Sequence, residues 1–186
     1  MNGGNYLSSA RKQFEYYKLL GDRSFLQVSD DDLFRAPSPE SNTIAVIVNH
    51  LAGNMLSRWT DFLTADGEKA WRHRDTEFED VLRTRQDLLD RWEAGWAAVF
   101  TALDSIGPAE ENATVYIRGQ AHTIPEAVNR QLCHYAYHVG QITYLARWLV
   151  GEGWESLSIP RGQSRQFNAR KTAKGKHGGH FTDDFR

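Results

Sequence analysis

From Tyr6 to about Phe25 the apolar residues Leu7, Ala10, Phe14, Tyr17 and Leu20 recur at steps of three and four, which places them on one stripe of an α-helix. Ser29, Asp30, Asp31 and Asp32, followed by Pro37 and Pro39, break that rhythm and predict a turn-rich link. A second helix is predicted after Ser41 or Asn42, either of which can cap it. Ile44, Val48, Leu51, Met55, Trp59 and Phe62 then share a face to about Leu63. The stretch Ile44 to Val48 is apolar on every side and β-branched, as in a short buried strand. The three-and-four spacing continues past it without a breaker, so helix is the reading.

Asp66 and Gly67 mark the exit from this helix, and a polar loop with Trp71, Arg72, His73 and Arg74 follows. Thr76 with Glu79 has the form of a capping box and opens a third helix, whose apolar residues run from Phe78, Val81 and Leu82 through Trp92 and Trp96 to Leu103, before Gly107 and Pro108. Val115 to Ile117, a turn at Arg118 and Gly119, and His122 to Ile124 read as a small β-hairpin. Thr123, Pro125 and Glu126 then start a long helix with the stripe Val128, Leu132, Tyr135, Val139, Ile142, Ala146 and Leu149, ending at Gly151.

Four long amphipathic segments predict an all-α fold, a four-helix bundle. The long link between the second and third helices permits a crossover. The 186 residues fit one domain, with the bundle over 1–155 and an irregular basic tail over 156–186. Trp59, Trp92, Trp96 and Tyr135 coincide with the helical stripes and read as core.

A formal charge of -2 gives no whole-domain reason to bind nucleic acid. No apolar run approaches the length of a membrane span, and the first residues lack the basic start and apolar stretch of a secretory signal, so the expected location is the cytoplasm. Cys133 is the only cysteine, which excludes an intramolecular disulfide and a Cys-rich zinc site. Any metal must be held by nitrogen and oxygen. Cys133 points about 100° away from His134 on a helix and reads as a small core residue. There is no Gly-rich phosphate loop, no Gly-x-Ser-x-Gly elbow, and no cysteine paired with a base at a helix start.

Of seven histidines, His134 and His138 stand four apart on the last long helix, so their side chains project from adjacent turns and can share one ion. With Gln141 they line one shoulder of the apolar stripe. His50 holds the matching shoulder of the second helix, in the most apolar part of the chain, where an imidazole without a partner is costly. Two readings stay open. The three can meet across the bundle with coordination positions left over, or each can be a core histidine satisfied by one hydrogen bond. His73, His122, His177 and His180 read as solvated or locally bonded.

The runs VNHLAGNMLSRWTDFL, from Val48 to Leu63, and HYAYHVGQITYLARWL, from His134 to Leu149, resemble the two metal-bearing helices of the DinB-like (YfiT-type) superfamily of bacterial proteins regarded as metalloenzymes. The resemblance covers nearly the whole chain. SIPRGQS, from Ser158 to Ser164, resembles a C-terminal element of a branch with no assigned reaction. It implies a four-helix bundle of unusual connectivity, a homodimer, and a metal tripod of His50, His134 and His138. Asn54 and Gln141 then become candidates to bond a ligand histidine or to face the open coordination position. Arg58 and Asp61 continue the Asn54 side of their helix and receive no role, since a solvated ion-paired face accounts for them equally well.

Three imidazoles suit zinc, nickel, iron or copper. Because the superfamily includes enzymes that join low-molecular-weight thiols to electrophiles, the resemblance implies metal-dependent thiol transfer to a small-molecule substrate. The alternatives are a metal-dependent hydrolase, which calls for a carboxylate near a bound water, and a non-enzymatic, stress-related metal-binding protein that uses its basic tail for contact.

Overall fold

The computed structural model describes residues 3–176 and 178–185; the expectations for Met1, Asn2, His177 and Arg186 lie outside the described residues. The chain is mostly helical, with six α-helices and one two-stranded antiparallel hairpin among the described residues. The helices are α1 (Gly3–Phe25), α2 (Asp30–Leu33), α3 (Ile44–Trp59), α4 (Arg85–Asp104), α5 (Ile124–Val150) and α6 (Ser164–Ala173). The strands are β1 (Thr114–Ile117) and β2 (Gln120–Thr123).

Several boundaries differ from the sequence pattern, each for a local reason. The acidic run after Ser29 is a helix, α2, because the Ser29 hydroxyl accepts from the Asp32 amide at 3.2 Å and Leu33 is buried. Thr43, not Ser41 or Asn42, caps α3, with its Oγ1 accepting from the Val46 amide at 3.1 Å. This helix ends at Trp59 rather than Leu63, since Asp61 turns the chain with φ 51°, and Phe62 reaches the core from beyond the turn.

Thr76 and Glu79 do not open α4. The residues Asp75–Phe78 form a 3-10 turn in which Glu77 is drawn inward, and the chain runs extended to Thr84. The capping box lies eight residues later. There Thr84 Oγ1 accepts from the Asp87 amide at 3.1 Å and Asp87 Oδ2 accepts from the Thr84 amide at 2.9 Å. The hairpin pairs Thr114 with Thr123 and Ile117 with Gln120. Arg118 and Gly119, both at positive φ, form the two-residue turn that matches the twist of the strands. Thr123 caps α5 in a box with Glu126, as the sequence predicts.

The closest helix pairs are α3 with α4 and α1 with α5, followed by α3 with α5 and α1 with α4. The long α3–α4 link joins two neighbouring helices. It packs along α3 from Asn49 to Arg58, and every α3 residue except Leu56 is buried. Trp59, Trp92, Trp96 and Tyr135 are core, as expected, and Phe14 of α1 meets Trp59 edge-on with ring centroids 5.8 Å apart.

The tail is not irregular throughout, because α6 and a 3-10 turn at Phe181–Asp184 order it. Phe181 and Phe185 pack on Tyr16 of α1 at 5.8 and 5.6 Å, and Asp183 pairs with Lys12 at 3.2 Å. No helix among the described residues is long and apolar enough to cross a membrane.

Candidate metal centre

His50 faces inward from the middle of α3 and is 4% exposed. His134 and His138 come from α5, half-buried beside the fully buried Tyr135 and Val139. The four-residue spacing sets the two α5 rings edge-on, with centroids 4.7 Å apart, and α3 brings His50 to 5.4 Å from the first and 4.9 Å from the second. One nitrogen from each of the three lies within 4.8 Å of the others, close enough for a shared ion.

Hydrogen bonds on the outer nitrogens fix which atoms face inward. Glu77 Oε2 stands 2.9 Å from His50 Nδ1, and a carboxylate can only accept, so the Nδ1–H donates and Nε2 keeps its lone pair. His138 Nδ1 donates to Gln141 Oε1 at 2.7 Å, which leaves its Nε2 free in the same way. His50 Nε2 then meets His134 Nε2 at 3.4 Å. Burial, together with the charges of His138, His50, Arg72 and Arg58, lowers the His134 pKa to about 3, and burial lowers that of His138 as well. Both are therefore neutral at pH 7, the state in which imidazole binds a metal.

Glu77 belongs to the α3–α4 link. Arg72 Nε donates to its Oε1 at 2.7 Å and Arg72 Nη2 to its Oε2 at 2.9 Å, and the Asn49 amide donates to its backbone carbonyl at 3.1 Å. Burial by itself raises the Glu77 pKa. The hydrogen bonds from His50 and Arg72 and the guanidinium charge outweigh that, and the carboxyl stays below its ordinary value. Both oxygens are thereby engaged, Oε1 by Arg72 and Oε2 by Arg72 and His50. Phe78 stacks on the other side of the His50 ring, 4.6 Å between centroids.

Of the two polar neighbours legible in the sequence, Gln141 bonds a cluster histidine. Asn54 does not: its Oδ1 accepts from the Tyr135 hydroxyl at 3.2 Å, and that hydroxyl accepts from Trp59 Nε1 at 2.8 Å. Asn54 faces the cavity from a fixed position. Cys133 is exposed rather than core, because it sits one residue before His134 on the outward side of α5, and it is not among the clustered donors. Arg58 is not on a solvated face; it is 5% exposed and bound to the Gly67 carbonyl and to Glu68.

Sequence reasoning missed Glu77, Arg72 and Phe78, which lie in the link. One signal was present. Gly53 stands three residues after His50 in a helix otherwise free of breakers, and a Cβ there would collide with the Glu77 carboxylate.

A cavity of about 310 Å³ opens beside the imidazoles. His50, Asn54 and Arg58 line it from α3, and Arg130, Gln131, His134 and His138 from α5. Arg72, Arg74 and Phe78 contribute from the link, and Arg118 from the hairpin turn. No carboxylate is among these lining residues. The donor set fits a first-row divalent ion: three imidazoles, two with their outer nitrogens held, and open space on the cavity side.

Neither a curated protein nor a solved structure matches the chain. A family defined by sequence does, over residues 2–163 and so across α1, the link and all three histidines. The chain belongs to this family, described as a protein of unknown function (DUF1572).

Proposed function

We propose that the protein binds a divalent transition metal through His50, His134 and His138 and transfers a low-molecular-weight thiol to an electrophile in the adjoining cavity. The observation that carries this reading is the convergence of three imidazole nitrogens within 4.8 Å, with the outer nitrogens of His50 and His138 held by Glu77 and Gln141. A bound divalent ion supplies a cationic position that holds a thiol as its nucleophilic thiolate at neutral pH. The protein's own part is orientation. Glu77 and Arg72 fix the His50 ring, Gln141 fixes His138, and Asn54, held by Tyr135, offers a polar group to the substrate.

Hydrolysis is the second reading and is less well supported. It calls for a free carboxylate beside the site, and Glu77, the carboxylate bonded to the cluster, has both oxygens engaged. The four long helices are read as a DinB-type bundle, which fits one ligand from α3 and two from α5. Tyr137, Tyr144 and Trp148, exposed along α5, support a homodimer. The single cysteine fits a reducing cytoplasm.

Elemental analysis of the native protein and of His138→Ala tests the ligand set, and a screen of thiols against a chloronitrobenzene tests the reaction. About one ion per chain in the native protein and far less in the variant supports the site. Equal content in both sinks it. Ester turnover without thiol consumption favours the second reading.

A further inference from the structure

Five guanidinium groups line the cavity beside the three histidines: Arg58, Arg72, Arg74, Arg118 and Arg130. The carboxylates that answer them are not among the residues lining the cavity. Glu68 takes Arg58 at 3.0 Å and Arg118 at 2.9 Å, with Arg72 at 3.8 Å, while Glu77 takes Arg72 alone. Arg74 and Arg130 have no carboxylate partner among the described residues. The cluster is also short of acceptors inside. Arg58 Nε and Arg72 Nη1 are buried with no hydrogen-bond partner, in side chains only 5% and 2% exposed. Positive charge in such excess around a concave, partly desolvated space attracts anions, and a metal ion nearby would add to it.

The two unanswered cations flank the imidazoles. The Arg74 guanidinium lies 5.5 Å from the centre of the Phe78 ring, and that ring stacks on His50, so one aromatic side chain separates the charge from the cluster. Arg130 stands one turn before His134 on α5. Its Nη1 hydrogen-bonds His122 Nε2 at 3.2 Å, a partner that leaves its charge uncompensated.

We infer that the small molecule occupying this cavity carries an anionic oxygen group, a carboxylate or a phosphate, held by Arg74 and Arg130 while its reacting end faces the histidine cluster. The inference rests on the proposed metal reading for what happens at that reacting end, and not for the anion site itself. Arginine suits this task because its planar fork can meet two oxygens of one oxyanion. Arg58 and Arg72, also on the cavity lining, add fixed positive charges anchored by Glu68 and Glu77.

The test titrates the full-length protein, both chelator-stripped and zinc-loaded, with succinate, with inorganic phosphate and with uncharged succinamide at constant ionic strength. Wild type is expected to bind succinate or phosphate, the stronger of the two identifying the oxyanion, and to ignore succinamide. Arg74→Gln with Arg130→Gln is expected to lose that affinity by at least about tenfold, with zinc content as in wild type. Both residues are exposed, so the variant should fold, and Arg74→Lys with Arg130→Lys should recover part of the binding. Undiminished binding in the Gln variant, or no binding of either anion to either wild-type form at millimolar concentration, overturns the inference. Anion binding by a protein that takes up no zinc would refute the metal reading and support this one.

Discussion

Glu77 Oε2 and His50 Nδ1 stand 2.9 Å apart, although 27 residues separate them in sequence and only one of the two lies on a long helix. The contact sets the imidazole's tautomer, and a carboxylate on the outer nitrogen also makes the inner one a better donor. Glu77→Gln should keep the packing and weaken metal binding about 10- to 100-fold, measured by competition with a chelating dye. Glu77→Ala would leave the Arg72 guanidinium buried without its main partner and should also cost about 3–5 kcal/mol of stability. Unchanged affinity in the Gln variant would remove Glu77 from the site.

Gly53→Ala offers a second test, one turn along α3 from His50 and against the same carboxylate. In an ordinary helix interior the change would stabilise by about 0.5–1 kcal/mol. Here the new methyl collides with the Glu77 carboxylate, so metal affinity should fall. A variant that is more stable and binds metal as before would show that Glu77 does not need to be where it is.

In the metal-free protein, stability should depend on pH through His134. Its pKa is about 3 in the folded chain against an ordinary 6.5, because burial and neighbouring positive charges disfavour the imidazolium. Between those values the unfolded chain binds more protons than the folded one. Folding stability is therefore intact above about 6.5 and is lost progressively as pH falls toward 3. Thermal melts of chelated protein at pH 7.5, 6 and 5 should show a falling Tm, with a shallower slope in His134→Gln. Equal slopes would assign the acid sensitivity elsewhere.

The start of α5, which carries two of the three histidines, depends on Thr123 and Glu126. Thr123→Ala removes the side-chain acceptor for the Glu126 amide and should cost about 1 kcal/mol, a Tm decrease of about 2–4 °C for a chain of this size. The hairpin immediately before it would transmit any fraying to the Arg118 turn, which Asp66 holds through two amide hydrogen bonds of 2.8 and 2.7 Å.

The helical part of the fold and the three imidazoles were legible because both depend on periodicity. Apolar stripes every three or four residues place α1, α3, α4 and α5, and the same period sets His134 beside His138 and puts His50 at the edge of a buried stripe. The start of α4 was not legible in this way. Thr76–Glu79 and Thr84–Asp87 both have the spacing of a capping box, and the choice between them falls to Glu77, whose inward pairing with His50 and Arg72 holds the first segment out of a helix. That pairing is a contact between distant parts of the chain, which no local pattern encodes. The arginines of the cavity were hidden similarly, since Arg58, Arg74, Arg118 and Arg130 come from four different elements and read singly as surface charge.

The segment that steers His50 is a single 3-10 turn in an otherwise irregular link, and it is held by the side chains it touches. Grafting α3 and α5 alone onto another scaffold would carry over all three imidazoles and leave their governor behind. An engineer copying this centre would have to transplant the irregular connector with them, at its native length, because one inserted residue would move the acid off its histidine.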